Sequence, residues 1–423
     1  MRVLPVSLGR SFNGLWFGTG AANLGDGMAL FVLPLLAIAV GASAGGVAAV
    51  TAALTLAWPV FGLHAGLIVD RVDRRALLGT VNALRGLVLG GVTAAFLADA
   101  LSLPLILVAA ALLGVAETLV DTALTSTIPL VVEPVGRGRA NARIEATINV
   151  TNQLAGPPLA GLLAGATLAL ATGASAALYV LAVGGVLMMT LRHAQPAPAT
   201  SDPAAGRRRG SELVAGFRFL WRQPIVRTLT LFTAAMNVVW AVAVSLLVVY
   251  AVEPGPLGLT AAQYGLLLTG MAVGGLIASV LVEPLRRWVG TTRLMIADAV
   301  GTVLFVAPVA FDAGIWAVAA GVVVAGAGSS IWRILAATIR QNLSPPELLG
   351  RIYSASRMIS WGVIPASAAL AGVIAEVWGL RTAFLAATVL AVAVLAVFVP
   401  FALRTDLAAA VRGPADDVAG VQG

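Results

Sequence analysis

The sequence contains no cysteine, only two histidines, and no lysine among its 26 basic residues. Without cysteine it can form neither a disulfide bond nor a thiolate metal site. The two histidines, His64 and His193, are too few for a His-rich metal site. Charged residues make up only 11% of the chain, whereas soluble domains carry about a quarter. We therefore predict no metal site and no cofactor.

Apolar residues are in excess instead. Of the 423 residues, 59% are hydrophobic, and the mean hydropathy is +0.97. A membrane-spanning helix needs roughly 20 mostly apolar residues, which leaves room for about a dozen spans. A pI near 11.0 can indicate a nucleic-acid partner, but here the arginines lie in successive short loops between apolar segments. The composition predicts a polytopic protein embedded in the lipid bilayer, with no nucleic acid as partner.

The apolar segments form two similar halves. An offset of 212 residues pairs Gly114 with Gly326 and Asp121 with Arg333, as parallel repeats of six helices would. We expect an all-α integral membrane protein with twelve transmembrane helices in two pseudo-symmetric six-helix halves, residues 1–191 and 228–404. The spans are expected at about residues 12–40, 46–69, 77–97, 103–124, 142–168, 174–191, 228–250, 261–282, 293–311, 314–337, 352–374 and 382–403.

Residues 192–227 connect the two halves. Residues 193–210 are rich in Pro, Ala and Arg, which predicts a flexible linker. Residues 212–222 place apolar side chains on one helical face and arginines on another, which suits an amphipathic helix on an anionic leaflet. A plain entry turn to the seventh span is the alternative. Residues 405–423 form a terminal tail.

The distribution of arginine predicts the orientation. Loops that follow even-numbered spans hold nearly all the arginines, whereas the opposite loops hold acids such as Asp99 and Asp312 and only one arginine, Arg381. Short arginine-rich loops stay on the cytoplasmic side. The first apolar segment is too long for a secretory signal, so we expect it to be retained. Both termini and the linker are therefore expected in the cytoplasm.

Charged side chains inside the predicted spans are candidate site residues. Each costs roughly 2.5–3.5 kcal/mol in the bilayer, so it should face a cavity or a partner. Five stand out: Asp26, Arg85, Glu117, Asp121 and Arg333. Polar residues at helical spacing accompany them and extend the candidate set to Asn23, Asn149, Gln153, Asn237, Trp240 and Arg357. One interpretation is a central cavity between the halves that binds substrate and coupling ion, with Asp26 as proton carrier. The alternative is static pairing, for example of Arg85 with Asp26 or Glu117.

The loop between the second and third spans carries a motif. It reads GLIVDRVDRRALL from Gly66 to Leu78. This resembles the signature loop of the major facilitator superfamily, G-x-x-x-D-R-x-G-R-R. The residues that match are Gly66, Asp70, Arg71, Arg74 and Arg75, with Asp73 where the family usually has glycine.

The fifth span carries a second motif, LAGPPLAGL, at residues 154–162. Its Gly156, Pro157 and Gly161 resemble part of the antiporter motif that marks exporters of the same superfamily. Small residues let helices pack closely and proline bends a span, so a packing kink is the simpler interpretation of the same residues. Across the whole chain, the sequence is similar to the exporter subgroup that includes enterobactin exporters and macrolide efflux proteins.

The resemblance implies transport by alternating access. In the family the loop aspartate, here Asp70, contacts the cytoplasmic end of the eleventh span when the inner gate is shut, and Arg351 begins that span here. The family also often has an arginine in the fourth span, four residues before a glycine. If Gly114 is that glycine, Ala110 holds the arginine position, and Arg85 of the third span is a candidate substitute.

These patterns favour a secondary active exporter, not an enzyme. The expected cargo is an amphipathic small molecule such as an antibiotic or a siderophore-like compound, exchanged for H⁺, by a monomer in a bacterial inner membrane. A proton-coupled uptake symporter or facilitator for a small nutrient is the alternative. A membrane enzyme or sensor is disfavoured because the sequence contains no nucleophile or zinc constellation and no glycine loop for phosphate.

Overall fold

The computed structural model describes residues 8–133, 136–189, 215–345 and 348–412, and the regular structure in these ranges is helical. The chain divides into two compact units. The first comprises the described residues of Met1–Ala199 together with Leu259–Thr269, and the second those of Thr200–Gly258 and Gly270–Gly423. The predicted division at the linker, residues 192–227, stays a prediction.

The first unit begins with four long helices. They are α1 (Arg10–Ala39), α2 (Ala44–Arg71), α3 (Arg74–Leu97) and α4 (Leu103–Val131). The segment that follows contains α5 (Arg137–Ile148), a π-helix (Asn149–Ala155) and α6 (Gly156–Ala166), and α7 (Leu168–Leu187) completes the set. The unit packs α1 and α3 against α7, and α2 against α4.

The second unit contains α8 (215–222), α9 (Pro224–Ala251), most of α10 (Ala261–Val289), α11 (Thr291–Ala310) and α12 (Ile315–Leu343). After these come α13 (Leu349–Gly362), α14 (Ile364–Trp378), α15 (Leu380–Arg404) and the short α16 (Leu407–Arg412). Helix α11 packs against α9, α12, α15 and α16.

Eleven helical segments within the described residues are long and apolar enough to cross a membrane. The fifth of the twelve expected spans is missing from this number because it is not one regular helix. It was predicted at about residues 142–168, and it consists of α5, the π-helix and α6. Gly156 follows the π-helix, and Pro157 and Pro158 come next; neither proline can donate a backbone hydrogen bond. Such π segments are frequent at functional sites.

Exposed apolar side chains identify the surface that faces lipid. Leu87 is 73% exposed and Leu276 is 53% exposed although each lies within a long helix. Trp288 near the end of α10 and Trp316 at the start of α12 are 86% and 85% exposed. Tryptophan is enriched where spans leave the hydrocarbon, so these two residues mark interfacial levels.

A close glycine contact recurs in both units. In the first, a Cβ on Gly114 of α4 would collide with the carbonyl oxygen of Leu54 on α2. In the second, a Cβ on Gly326 of α12 would collide with the carbonyl oxygen of Met271 on α10. The two glycines are the pair that the internal repeat predicted, and each lets the fourth helix of its half touch the second.

The helix α8 packs on the start of α13. Leu220 is fully buried in a cluster with Ile352 and Ala355, and a Cβ on Gly216 would lie 2.6 Å from the carbonyl oxygen of Arg351. Trp221 is 54% exposed. The predicted membrane-surface role of residues 212–222 stays a prediction, and residues 211–214 lie outside the described part of the chain.

Candidate functional site

A buried ion pair joins Asp26 of α1 to Arg85 of α3 inside the first unit. Arg85 Nη2 lies 2.8 Å from Asp26 Oδ1, and Arg85 Nη1 donates to Asp26 Oδ2 at 3.4 Å. The side chain of Arg85 is 1% exposed and that of Asp26 is 13% exposed. Tyr179 of α7 donates its hydroxyl hydrogen to Asp26 Oδ1 at 2.7 Å. The carboxylate is therefore bound from two other helices at once.

The ring of Tyr179 also covers the cation. The Arg85 Cζ atom lies 4.9 Å from the centre of the ring, which is within the range of a cation–π contact. The Arg85 Nε atom has no hydrogen-bond acceptor among the described residues. Arg85 is thus held by charge and by the ring, while one of its N–H groups stays unbonded.

Small residues let these three helices approach each other. A Cβ on Gly25 would lie 3.2 Å from the Tyr179 ring, and the hydroxyl of Ser175 donates to the Gly25 carbonyl at 2.9 Å. A Cβ on Gly86 would lie 3.3 Å from the carbonyl oxygen of Ala176. The sequence therefore places a glycine beside each charge, directly before Asp26 and directly after Arg85.

Two acids on α4 add negative charge around Arg85. Glu117 and Asp121 are both half-buried, and both attract the guanidinium of Arg85. Their spacing of four residues puts them on one face of the helix. The first unit therefore gathers three of the predicted acids about one predicted arginine, and Asp26 forms an ion pair with it.

Two of the three predicted amides of the first unit donate to a backbone carbonyl one helical turn earlier. Asn23 is buried and donates to the Thr19 carbonyl at 3.0 Å. Asn149, the first residue of the π-helix, donates to the Glu145 carbonyl at 2.9 Å. Gln153 is exposed. Their predicted role in a cavity between the halves stays a prediction.

The loop between α2 and α3 contains the residue that caps the start of α3. Asp73 is the N-cap of α3, and its Oδ1 accepts the backbone N–H of Ala76 at 2.7 Å. A capping carboxylate satisfies one of the unpaired N–H groups at a helix start. Arg71 is exposed, and a Cβ on Gly66 would meet nothing within 4 Å. Aspartate thus serves as a cap where the resembled motif has glycine.

The two arginines that follow attach α3 to its neighbours. Arg74 Nε donates to the hydroxyl of Ser126 on α4 at 3.0 Å. Arg75 donates from Nε to the carbonyl of Val186 at 3.2 Å and from Nη2 to that of Leu187 at 2.6 Å. Arg75 therefore caps the last turn of α7, where carbonyl groups lack helical partners.

The predicted contact of Asp70 with the start of the eleventh span stays a prediction. The side chain of Asp70 lies outside the described residues. Arg351 is the third residue of α13 and belongs to the second unit, whereas Asp70 belongs to the first.

The Gly156–Gly161 segment is a site of close helix packing. A Cβ on Gly156 would lie 2.9 Å from the Cα of Gly27 on α1. A Cβ on Gly161 would lie 3.1 Å from the Cα of Gly265 on α10, and one on Gly265 would lie 2.8 Å from the carbonyl oxygen of Pro157. The segment thus touches α1 on one side and the start of α10 on the other, within the first unit.

Polar candidates of the second unit form separate contacts. Asn237 of α9 donates to the Ser360 carbonyl of α13 at 2.6 Å. The ring of Trp240 lies 4.9 Å from that of Phe305 on α11. These contacts join α9 to two neighbours.

The two predicted arginines of the second unit differ in their surroundings. The Arg357 Cζ atom lies 4.8 Å from the centre of the Trp361 ring, one helical turn further along α13. Arg333 of α12 is exposed. The two lie on different helices, and their predicted role in substrate binding stays a prediction.

The sequence analysis missed Tyr179 and Asp298, which are both buried. Tyr179 completes the contact with Asp26, and Asp298 is a buried acid in α11. The rule about charge inside a span identifies Asp298 directly from the sequence. Tyr179 carries no charge, and its only signal is a lone phenol in an apolar span.

Known proteins match nearly the whole length of the chain. The family model described as "Transmembrane secretion effector" matches residues 5–417. The multidrug efflux pump Tap of Mycolicibacterium fortuitum is 24% identical over 411 residues, which cover 93% of this chain and 96% of that protein. Tap of Mycobacterium tuberculosis is 26% identical, over 93% of this chain and 94% of the relative.

A solved structure agrees with the fold. The crystal structure of the nucleoside transporter NupG superposes with a TM-score of 0.71 at 12% identity, over 92% of this chain and 98% of that one. At this sequence identity the structural similarity is evidence for the fold alone. With its two repeated halves and the basic loop after α2, this multi-pass membrane protein is a transporter, not an enzyme. The chain belongs to the major facilitator superfamily, in its transmembrane secretion effector family.

Proposed function

We propose that this protein is a proton-coupled exporter of amphipathic small molecules, such as antibiotics or siderophore-like compounds. The observation that carries the proposal is the contact of Asp26 with Arg85 and Tyr179. An acid inside a membrane span is costly unless it serves a site or a partner. Here a single carboxylate connects three helices, so a change in its charge alters how those helices are held together.

Asp26 carries the proton in this proposal. The ionised carboxylate attracts Arg85 and accepts the hydroxyl of Tyr179. When the carboxylate takes up a proton from water, its negative charge disappears and the attraction to Arg85 falls. Helix α1 is then less strongly bound to α3 and α7. Release of the proton restores the ion pair, so each cycle of protonation switches these contacts once.

Arg85 supplies the counter-charge in both states. With Asp26 neutral, the guanidinium still needs negative partners, because an unpaired charge in the bilayer is costly. Glu117 and Asp121 on α4 attract it already. When Asp26 is neutral, these two acids supply the negative charge that balances Arg85. A cationic or amphipathic cargo that competes for the same acids would then couple its own release to proton uptake.

Asp70 acts as part of the gate in this proposal. The motif resemblance implies that it closes the cytoplasmic side against the start of the eleventh span, near Arg351. We expect Asp70→Ala to slow turnover more than it weakens cargo binding. The comparison is between the transport rate and the Kd for cargo of the same preparation. An equal loss in both would show that Asp70 belongs to cargo binding and not to the gate.

Export is supported by the two Tap relatives, which are named multidrug efflux pumps. We place the protein as a monomer in a bacterial inner membrane, with both termini in the cytoplasm. The placement of the termini rests on the arginine-rich loops. The cysteine-free sequence makes it testable, because single cysteines introduced at Arg10 and Asp99 should react with an impermeant thiol reagent from opposite sides.

Proton movement in inverted membrane vesicles tests the proposal. A pH gradient is imposed, and lipophilic cations, macrolides, tetracyclines and siderophores are added in turn. We expect at least one compound to collapse the gradient with the wild type and not with Asp26→Asn, while the variant stays folded in the membrane. Asp99→Asn is a matched control, since it makes the same chemical change in the turn after α3, at a φ of 51° that asparagine tolerates.

Each outcome has a distinct meaning. A gradient collapsed equally by the wild type and Asp26→Asn would contradict proton carriage by Asp26. Compound accumulation in whole cells driven by an inward proton gradient would replace export by the alternative, uptake symport of a nutrient. Loss of activity in Asp99→Asn as well would show that the effect of the Asp26 change is not specific.

A further inference from the structure

Asp298 of α11 is a buried acid that the proposed mechanism does not use. The residue is 3% exposed. Its Oδ2 atom is buried and has no hydrogen-bond partner among the described residues. Most buried polar atoms in proteins are hydrogen-bonded, so an exception requires an explanation.

The carboxyl group occupies a niche that a glycine provides. It lies against Gly328 of α12, and a Cβ on Gly328 would collide with Asp298 Oδ1. A second glycine, one turn after Asp298 on α11, keeps the helices close, since a Cβ on Gly301 would lie 3.1 Å from Val324. The sequence has therefore kept space for this carboxyl group, and the described residues supply no polar partner for Oδ2.

Within the described residues, no cation neutralises this acid from the packed elements. The helices against α11 are α9, α12, α15 and α16. Their charged residues, with the one on α11 itself, lie toward the helix ends or on an exposed surface: Arg227, Arg293, Arg333, Arg340, Arg381, Arg404 and Arg412. Arg381 bonds to the Ala310 carbonyl at the far end of α11, and Arg333 is exposed. The titratable Tyr250 bonds to Asp312, also beyond that end.

An ionised carboxylate in such surroundings is strongly disfavoured. Removing an isolated carboxylate from water costs so much that the group neutralises instead. A neutral carboxyl group needs no cation, and its burial costs only what an unbonded polar group costs. The arrangement of Asp298 against Gly328 is therefore suited to the protonated acid.

We propose that Asp298 is a second proton-binding site, located between α11 and α12 of the second unit. One proton from water binds the carboxylate and forms a neutral carboxyl group, and it returns to water when these helices part enough to hydrate the acid. The binding of this proton stands on the local geometry. Its use in transport rests on the proposed proton coupling.

The internal repeat places this site at a matched level. The offset of 212 residues relates Asp298 to Gly86, the neighbour of Arg85. Each half thus has a deeply buried ionisable residue at this level of its third helix. In the first half this residue is Arg85, which is paired with Asp26. In the second half it is Asp298, which becomes neutral by binding a proton.

Infrared difference spectroscopy of the purified protein in lipid nanodiscs tests the proposal. The spectrum is recorded between acidic and alkaline buffer, and the carboxyl C=O band of a protonated acid is followed. We expect one component of this band in the wild type to persist in Asp26→Asn and to disappear in Asp298→Asn. If that component remained in Asp298→Asn, or if the wild type showed no protonated carboxyl band at neutral pH, the assignment would be overturned.

A second variant covers the case in which Asp298→Asn does not fold. Gly328→Ala places a methyl group against Asp298 and should shift the frequency of the band, whereas Gly350→Ala, where a Cβ meets nothing within 4 Å, should leave it unchanged. An unshifted band in Gly328→Ala would contradict the proposal. The band is recorded without cargo, so it tests proton binding by Asp298 even if Asp26 carries no proton in transport. The two proposals can therefore be contradicted independently.

Discussion

Arg85 of α3 and Asp26 of α1 form a direct ion pair, with Nη2 and Oδ1 2.8 Å apart, in the buried interior of the first unit. Breaking a buried pair by removing one partner costs about 3–5 kcal/mol, because the other charge is left uncompensated. Arg85→Gln should therefore lower the melting temperature strongly. The double variant Asp26→Asn/Arg85→Gln should recover much of the loss, because it leaves no unpaired charge.

Thermal unfolding in detergent, followed by tryptophan fluorescence, measures this coupling. All four members of the cycle are compared at one pH. A double variant as unstable as the sum of the two single changes would mean that the pair contributes no interaction of its own.

Tyr179 makes two contacts: its hydroxyl bonds to Asp26 and its ring covers Arg85. Tyr179→Phe removes the 2.7 Å hydrogen bond to Asp26 but keeps the ring over Arg85. A hydrogen bond to a charged group contributes about 1.5–3 kcal/mol, and it favours the ionised form. Without it the carboxylate binds its proton more readily, so the pH profile of transport should move to higher pH.

Transport rates over a pH series, with Tyr179→Ala beside Tyr179→Phe, check this. The alanine variant also loses the ring that packs on Gly25, so it should be the less stable of the two. A profile of Tyr179→Phe that coincides with the wild type would show that the hydroxyl does not act on Asp26 during transport.

Gly156 lies where a side chain has no space. Its Cβ would lie 2.9 Å from the Cα of Gly27, and backbone atoms cannot move away as a flexible side chain can. Gly156→Ala should therefore destabilise the protein by about 1–3 kcal/mol, as overpacking does. Gly90→Ala on α3, with nothing within 4 Å of its Cβ, should be neutral or stabilising. Equal melting temperatures for the two variants would contradict the close contact.

Asp73 should behave as a helix cap. Asp73→Ala removes the bond to the Ala76 N–H and should cost about 1 kcal/mol, whereas Asp73→Gly should cost only a few tenths. Melting temperatures of the two variants give the comparison. If glycine, the residue of the resembled motif, were the more damaging change, then capping would not explain Asp73.

The sequence predicted the architecture well because the physics of the bilayer leaves few choices. Apolar runs of spanning length, the repeat that pairs Gly114 with Gly326, and the motif at Gly66–Arg75 all led to the observed helices. The broken fifth span was predicted only as a bend. Asn152 of its π-helix and the following Gly156 lie against Gly27 on α1, and a tertiary contact of this kind is not contained in any local pattern.

The candidate site was predicted in part. The rule about charge inside a span identified Asp26 and Arg85, and their pairing was one of the alternatives that it left open. The rule does not say which partner a charge chooses, since that depends on helix rotation and on the glycines beside it. It also cannot identify Tyr179, which carries no charge. Asp298 was within its reach and was overlooked.

Proton release on cargo binding is the most direct test of proton carriage by Asp26. Purified wild-type protein in weakly buffered detergent solution is mixed with a transported compound, and a pH indicator reports the protons set free. We expect the wild type to release protons and Asp26→Asn to release none, although the variant still binds the compound. Undiminished release by Asp26→Asn would contradict the assignment of Asp26 as the proton carrier.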